Sequence, residues 1–476
     1  MRRWQFTLGL TGLAIVAAAL APRLLTKPTP QDPKPVPPPP PEVPLEVPEI
    51  SEAPTLPAGH LIVEAGLDQT AVLRGQDNDR FLAVSVTAPE DIGKSFRRNL
   101  ALSVVLDASG SMSARGKIDY AKHAAKLLAD SMEANDIYSL VVFNDGASTI
   151  VPPTEVENAA AIKRAIDRVY EGGGTNLYAG LQEAGTLMQG SLQDNMVGRV
   201  ILLSDGLVTV GVDDPNTIAK LAAKMASQGM TVSTVGLGLD YNEDLLARIS
   251  DIGGGEYDFV DDAQELSSVF SDELRRSASV VARGTRVSID LPDGVEGLEV
   301  IGWDAEQTAS GDWTVWMGDI YAGETRKIIA RVRVTGDGAD NQRVASVHAD
   351  YLDIVDDVTA QAWGHANAEF TTDQSRVIAS IDNHRSVEAN RAYGNWYLDM
   401  STRAYAGGDV DKAKDLAQNG ERVLIEAANN FDAPALAEEA EDLNTQQQLY
   451  ESYKPKSAEG KRAVKHGKEM FRGRAR

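Results

Sequence analysis

Five side chains with hydroxyl or carboxylate oxygens could together bind a hard metal ion. They lie in three separate segments of the chain: Asp107, Ser109, Ser111, Thr175 and Asp205. Oxygen atoms of these kinds suit Mg²⁺, Mn²⁺ or Ca²⁺ and are poor ligands for zinc. The hydroxyls would supply neutral ligands, and the two carboxylates would offset the ion's charge directly or through water. An octahedral ion held in this way keeps room for one external oxygen, which an Asp or Glu of a partner protein can supply.

Each of these residues also has an ordinary structural interpretation. Ser109, Ser111 and Thr175 could cap helices, and Asp205 with the following glycine could form a turn. The D-x-S-x-S pattern at 107–111 is weak by itself, since about one chain in ten of this length would carry it by chance. The prediction of a metal site therefore depends on whether the fold brings the three segments together.

Strands and helices are predicted to alternate from residue 100 to residue 277. The short apolar run 100–106 indicates a buried strand, and the apolar spacing over 118–132 indicates a helix. This alternation predicts an α/β fold with a doubly wound, mostly parallel sheet. Ligand sites in such sheets lie beyond the carboxyl ends of the strands. If the strands 100–106 and 200–203 are parallel neighbours, all three segments meet at that edge.

Several longer motifs surround the five residues. They are D-A-S-G-S at 107–111, V-V-F-N-D at 141–145, G-G-G-T-N at 172–176, L-S-D-G at 203–206 and T-V-G-L-G at 234–238. With these motifs, residues 98–277 resemble a von Willebrand factor A domain with an intact metal-ion-dependent adhesion site. The wider layout is similar to that of bacterial envelope proteins with this domain and of inter-alpha-trypsin-inhibitor heavy chains. The resemblance implies an Mg²⁺-type ion at the five residues and a partner carboxylate that completes its coordination.

The N-terminal region predicts export from the cytoplasm. Arg2 and Arg3 precede an apolar stretch, so residues 1–25 are predicted to be a signal peptide or a retained membrane anchor, and both possibilities stay open. Residues 26–58 are rich in proline and are predicted to form an extended linker. We therefore expect the folded body to lie in the cell envelope, in the periplasm or another extracytoplasmic space.

Two segments with a strand-like period of two flank the α/β domain. Residues 278–366 are predicted to form a β-sandwich-like domain, and the strands of 59–97 to complete it, which makes the α/β domain an insertion. Residues 367–476 are predicted to be helical, with one helical hairpin around 404–409. The tail 454–476 holds nine Lys or Arg and two Glu. It is interpreted as a solvated tail, with contact to anionic lipid or to the acidic body of the same protein as the alternative.

Composition narrows the function further. The net charge of −24 argues against a nucleic-acid binder, and the absence of cysteine excludes disulfides and thiolate metal sites. The chain lacks the common hydrolase and nucleotide-binding motifs, so we expect no enzyme. The predicted function is a metal-dependent protein-binding module for adhesion or assembly at the cell envelope. The alternatives are a scaffold that partners an envelope complex or a chaperone-like ATPase and, less favoured, a metal-dependent hydrolase.

Overall fold

A computed structural model describes residues 58–92, 98–193, 196–336 and 340–475, with side chains up to residue 471. The predicted signal or anchor at 1–25, and the linker up to residue 57, lie outside these residues. Within the described ranges, no helix combines the length and the apolar character that crossing a membrane requires.

The strands and helices are numbered in chain order. The strands are β1 (Ile62–Leu67), β2 (Ala71–Leu73), β3 (Asn78–Thr87), β4 (Asn99–Asp107), β5 (Ile137–Phe143), β6 (Ala147–Glu155), β7 (Met196–Ser204), β8 (Met230–Leu237), β9 (Gly254–Val260), β10 (Val280–Asp290), β11 (Val295–Ile301), β12 (Ala305–Gln307), β13 (Trp313–Tyr321), β14 (Thr325–Val334), β15 (Asn341–Asp353) and β16 (Val358–Thr371). The helices are α1 (Lys117–Ser131), α2 (Ala159–Ile166), α3 (Leu177–Gln189), α4 (Pro215–Ser227), α5 (Glu243–Gly253), α6 (Leu266–Ser277), α7 (Gln374–Ala379), α8 (Asn383–Ala406), α9 (Val410–Phe431), α10 (Pro434–Ser452) and α11 (Ala458–Ala475).

The α/β domain is built on a sheet with the strand order β6-β5-β4-β7-β8-β9. All neighbours are parallel except β6, an antiparallel edge strand that the sequence pattern did not predict. Apolar residues of α1, α2 and α6 pack on one face, and those of α3, α4 and α5 pack on the other. Both β7 and β8 are buried along their whole length, as expected for strands covered on two faces. The predicted fold class, a doubly wound and mostly parallel sheet, is confirmed.

The flanking β-domain consists of two sheets that enclose a common apolar core. One has the order β1-β3-β14-β11 and the other β12-β13-β10-β15-β16-β2. Strand β3, which precedes the α/β domain, pairs with β14, which follows it, from Asn78↔Val334 to Thr87↔Thr325. These pairings support the predicted insertion of the α/β domain into the β-domain, which stays a proposal.

The helical region begins later in the chain than predicted. Strand β16 continues to Thr371, past the predicted boundary at 366, because Ala366, Ala368 and Phe370 keep the alternation of buried and outward positions. The predicted hairpin is present, since α8 ends at Ala406 and α9 begins at Val410. Within the basic tail, Ala458–Ala475 form α11, whose lysines pair with carboxylates of the α/β domain. The interpretation as a solvated tail was wrong, and the ion pairs support the alternative, contact with the acidic body of the same protein.

A buried ionic cluster joins the α/β domain to the β-domain. Arg199 of β7 is fully buried and lies 3.4 Å from Glu273 of α6 and 3.5 Å from Asp319 of β13. Its Nη2 donates to the Tyr321 hydroxyl over 3.3 Å. Buried charges are tolerated when they are paired, and loss of one partner leaves the others uncompensated. Arg199 therefore holds two buried carboxylates at the contact between the two domains.

We expect Arg199→Met to lower the free energy of unfolding by about 3–5 kcal/mol. Asp319 would remain buried without this cation, and Glu273 would keep only the more distant Arg276, 3.8 Å away. Thermal and urea unfolding of the full chain measure this loss. The control Arg275→Met removes an exposed arginine of α6, which pairs with Asp272 one turn away, and should change stability by no more than about 0.5 kcal/mol. Equal stability of the two variants would contradict the importance of the buried cluster.

Candidate metal centre

Parallel pairing places two of the three polar segments side by side. Strands β4 and β7 are adjacent and in register up to Leu106↔Leu203, so Asp107 at the end of β4 stands next to Ser204 and Asp205. The glycine-rich segment joins them through backbone hydrogen bonds. The Gly172 N–H donates to the Ala108 carbonyl over 2.8 Å, and the Gly110 N–H donates to the Gly173 carbonyl over 3.1 Å. All three predicted segments thus meet at the carboxyl edge of the sheet.

The hydroxyl groups converge at this edge. Ser109 Oγ lies 3.0 Å from Ser111 Oγ, and Ser111 Oγ donates to Asp205 Oδ1 over 2.6 Å. Thr175 faces the same space across Gly206. The point at which a Cβ atom of residue 206 would stand lies 3.6 Å from Ser111 Oγ and 3.7 Å from Thr175 Oγ1. The absence of a side chain at Gly206 leaves room between these oxygens.

Asp107 lies buried at the bottom of the candidate site. One carboxylate oxygen accepts the Ser109 N–H over 2.9 Å, and the other accepts the Ser204 hydroxyl over 2.7 Å. Burial raises the pKa of Asp107, and hydrogen bonds from Ser109 and Ser204 partly counter that rise. The nearby Asp205 carboxylate raises the pKa further. The two carboxylates therefore act on one another, as expected if both contribute to one cation site.

Asp205 has a second partner that sequence reasoning missed. Its side chain is fully buried, and its Oδ2 lies 2.7 Å from Lys117 Nζ at the start of α1. One carboxylate oxygen of Asp205, Oδ1, thus accepts from Ser111, and the other, Oδ2, pairs with Lys117. The only sequence signal was a lysine at the start of a helix that follows the first motif, and this does not identify its partner.

Ser109 and Thr175 do not cap the helices that follow them, which was the alternative to metal binding. The side chain of Ser109 makes no capping hydrogen bond to the 3₁₀ helix Gly110–Gly116 that it precedes. Helix α3 is capped by Asn176, whose Oδ1 accepts the Ala179 N–H, and not by Thr175. Neither the Ser109 hydroxyl nor the Thr175 hydroxyl therefore caps a helix, although the sequence left that role open for both.

Two further polar residues hold the glycine-rich segment in place. The Gly174 N–H donates to Asp145 Oδ1 over 2.7 Å, and the Thr175 N–H donates to Thr209 Oγ1 over 2.9 Å. Gly173 has a φ of +82°, which favours glycine, and a Cβ there would also stand 2.7 Å from Asp145 Oδ2. Asp145 lies in the motif at 141–145, but the motif does not predict that this side chain fixes the backbone next to Thr175.

The donor set fits a hard divalent ion. Neutral hydroxyls and carboxylate oxygens from three loops face one space, and the donors include no nitrogen or sulfur ligand. This is the chemistry of Mg²⁺, Mn²⁺ or Ca²⁺ sites. The five residues named from the sequence are those that the fold brings together, and their role as ligands is a proposal.

A second group with metal-binding side chains has a structural role. His60, Asp353 and Asp356 place one ligand atom each within 4.8 Å of one another. However, Asp353 Oδ2 accepts from His60 Nδ1 and from the His60 N–H, and its Oδ1 accepts the N–H groups of Val355 and Asp356. The carboxylate is thus engaged in fastening the chain before β1 to the β15–β16 turn.

Comparison with known proteins finds similarity over the α/β domain. Residues 102–272 match the family of the von Willebrand factor type A domain. The chain is 28% identical over 267 residues to the uncharacterized protein YfbK of Escherichia coli strain K12, covering 55% of this chain and 46% of that protein. It is 31% identical over 173 residues to human inter-alpha-trypsin inhibitor heavy chain H2, covering 34% of this chain and 18% of that protein. The chain therefore spans about half the length of YfbK and less of the heavy chain.

Two solved structures share the fold over most of the chain. A von Willebrand factor type A protein from Catenulispora acidiphila has a TM-score of 0.64 at 17% identity, covering 83% of this chain and 90% of that one. The ArnB paralog VWA2 from Sulfolobus acidocaldarius has a TM-score of 0.60 at 17% identity, covering 88% and 99%. Type A domains generally mediate protein–protein interactions, are generally non-enzymatic and commonly bind a divalent metal.

We expect Gly206→Ala to lower Mg²⁺ affinity at least about tenfold, equivalent to about 1.4 kcal/mol. The new methyl group would occupy the space between Ser111 Oγ and Thr175 Oγ1 without a clash, because contacts of 3.6 and 3.7 Å are ordinary. Isothermal titration calorimetry measures the affinity. The control Gly146→Ala adds a methyl group with no heavy atom within 4 Å and should bind Mg²⁺ like the wild type. Unchanged affinity in Gly206→Ala would place the ion elsewhere.

Proposed function

We propose that the von Willebrand factor type A domain of this chain binds a divalent ion and uses it to bind an acidic side chain of a partner protein. The ligands are Asp107, Ser109, Ser111, Thr175 and Asp205, and Mg²⁺ is the preferred ion, with Mn²⁺ and Ca²⁺ as alternatives. One observation carries the proposal: hydroxyls from two loops and two buried carboxylates converge at one point of the sheet edge. The role is adhesion or assembly and not catalysis.

The balance of charge favours an anionic ligand. Asp107 and Asp205 together neutralise a divalent ion, while Lys117, 2.7 Å from Asp205, adds a positive charge to the same place. The edge of the site would therefore remain electropositive with the ion bound. A carboxylate of Asp or Glu supplies both a hard oxygen ligand and the missing negative charge, so the link would be charge-assisted.

The partner side chain can approach from solvent. Ser111 is exposed although Ser109, Thr175 and the two carboxylates are buried. The loop that follows Asp205 also presents Leu207 and Val210 to solvent, 56% and 36% exposed. Apolar side chains beside a polar centre are typical of protein-binding surfaces. These residues would surround the acidic side chain of the partner.

The proposed location is the cell envelope. The support is the sequence of residues 1–58, in which an export signal or anchor is followed by a proline-rich spacer. Such a spacer would hold the metal centre away from the membrane surface, where a protein partner can reach it.

A scaffold function is the second candidate, and the helical region supports it. Helices α8 to α11 pack together, and α8 also packs on the β-domain through contacts such as Phe81 with Tyr393, whose ring centroids are 5.6 Å apart. A partner of an envelope complex that docks on this region would bind without a metal ion. Metal dependence therefore separates the two candidates.

We expect Mg²⁺ to stabilise the wild-type chain but not Asp205→Ala, because a ligand that binds only the folded state stabilises it. The gain is about 2.7 kcal/mol at one hundred times the dissociation constant. Thermal unfolding with and without Mg²⁺ measures it. The control Asp213→Ala removes an exposed carboxylate further along the same loop and should keep the full Mg²⁺ response.

The same variants test partner binding in a pull-down from envelope extract. Capture of an acidic-surface partner should require Mg²⁺ or Mn²⁺, disappear in EDTA and return when the ion is restored. Asp205→Ala should capture nothing under any of these conditions, while Asp213→Ala should behave like the wild type. Undiminished capture in EDTA would refute the metal-dependent function and favour the scaffold.

A further inference from the structure

The C-terminal helix α11 is attached to the α/β domain by a row of ion pairs. We call its cations the basic latch: Lys461, Arg462, Lys465 and Lys468. We call the carboxylates that face them the acidic seat: Asp240, Glu243, Asp244 and Asp261. The N–O distances are 2.9 Å for Lys461–Asp240, 2.8 Å for Arg462–Asp261, 2.8 Å for Lys465–Glu243, 2.9 Å for Lys468–Glu243 and 2.6 Å for Lys468–Asp244.

Lys465 lies at the centre of the contact. Its side chain is 2% exposed, and its Nζ stands 3.4 Å from the centre of the Tyr241 ring as well as 2.8 Å from Glu243. The pairs at the rim are open to solvent, since the side chains of Lys461 and Asp240 are 43% and 78% exposed. Exposed ion pairs are weak and are screened by salt. The latch is therefore held by two shielded pairs to Glu243, from Lys465 and from Lys468, and by exposed, salt-sensitive pairs at its rim.

On its other side, α11 belongs to the helical region. Gln446 of α10 donates to the Ala463 carbonyl over 3.1 Å, and Val464 packs in the cluster that contains Tyr405 and Tyr450. Loss of the ion pairs would therefore release α11 from the α/β domain without removing it from its own helices. The contact has the properties of a reversible attachment between two parts of the molecule.

The acidic seat lies at the same sheet edge as the candidate metal centre. Asp240 and Glu243 follow the end of β8, and Asp261 follows the end of β9. These strands continue the parallel sheet beyond β7, whose end carries the metal-site aspartate. The latch and the metal centre are thus neighbours along one edge.

Lys117 pairs with the metal-site aspartate and lies near the end of β8. Its Nζ binds Asp205 Oδ2 at 2.7 Å and lies 3.4 Å from the point at which a Cβ of Gly238 would stand. Gly238 is two residues before Asp240. The hydrogen bond from Lys461 lowers the pKa of Asp240, and the charges of Lys461, Lys117 and Lys465 lower it further. Lys117 therefore stands between the metal-site aspartate and the loop that carries Asp240.

We propose that α11 is a salt-sensitive latch and that its closure is coupled to the candidate metal centre through Lys117. The coupling rests on the proposed metal-binding function. When Asp205 shares a further cation, repulsion favours a shift of the Lys117 ammonium along the sheet edge toward Asp240, where its charge still lies beside the metal centre. Lys117 then competes with Lys461 for Asp240 and loosens the latch. Because coupling between two sites is reciprocal, a loosened latch also strengthens ion binding.

The test uses the full chain, which contains no native cysteine. Spin labels on Arg248→Cys in α5 and His466→Cys in α11, both exposed positions, report the distance across the latch by double electron–electron resonance. Hydrogen exchange of the backbone amides of 458–471 reports opening of the latch without labels. We expect one narrow distance at low salt, and a second, longer population in 1 M NaCl or with Mg²⁺ at low salt.

Three variants isolate the coupling. Lys117→Met removes a cation that pairs with Asp205, so calorimetry first gives the Mg²⁺ concentration that saturates this variant. At saturation, Mg²⁺ should no longer change the distance. Lys461→Glu should show the longer population without Mg²⁺ and should bind Mg²⁺ roughly fivefold or more tightly. Lys456→Glu is the matched control, because Lys456 precedes α11 and has no carboxylate partner among the described residues; it should behave like the wild type.

The outcomes separate the latch from the metal centre. If Mg²⁺ binds the wild type and leaves the distance and the exchange unchanged, or if Lys117→Met still responds, the coupling is wrong and the metal centre stands. If Mg²⁺ does not bind at all, the proposed function and the coupling both fail. The response to salt and to Lys461→Glu then still decides whether α11 is a latch.

Discussion

Two buried carboxylates stand next to one another where the adjacent parallel strands β4 and β7 end, and the rest of the site depends on this arrangement. Asp107 and Asp205 are 0% and 1% exposed. A buried charge is costly unless hydrogen bonds or an opposite charge compensate it. Hydroxyls, one backbone N–H and the Lys117 ammonium supply part of that compensation. We propose that a hard divalent cation supplies the rest.

The remaining architecture serves to hold this edge of the sheet. Helices on both faces bury β7 and β8 completely, so the strand ends cannot shift independently. Arg199, in the middle of β7, ties the sheet to the β-domain through Glu273 and Asp319. At the carboxyl edge, α11 binds the loops after β8 and β9. The candidate metal centre thus lies on the sheet edge to which α11 also binds.

The sequence predicted those features that depend on local pattern. The alternation of strands and helices gave the parallel sheet, and the motifs at 107–111, 172–176 and 203–206 gave the residues that converge on one edge. It did not predict β6, whose sequence Ala147–Glu155 contains two prolines and resembles a loop. The end of β16 was placed too early because alanines carry little hydrophobic signal, although Ala366 and Ala368 are buried.

The missed contacts are those between residues far apart in the chain. Lys117 and Asp205 are separated by 88 positions, and Lys465 and Glu243 by 222. A charged residue in a sequence reads as a solvated side chain, because pattern alone does not show which opposite charge the fold brings to it. The role of Lys117 and the attachment of the basic helix therefore became visible only in the three-dimensional arrangement.

The central claim is that three loops at the carboxyl edge of the sheet form one metal site. Anomalous X-ray scattering from crystals grown with Mn²⁺ tests it most directly, because the signal marks the ion itself. The account predicts an anomalous peak bounded by Ser109 Oγ, Ser111 Oγ and Thr175 Oγ1, with Asp107 and Asp205 beside it. No peak at this position, or a peak only at His60, Asp353 and Asp356, would contradict it.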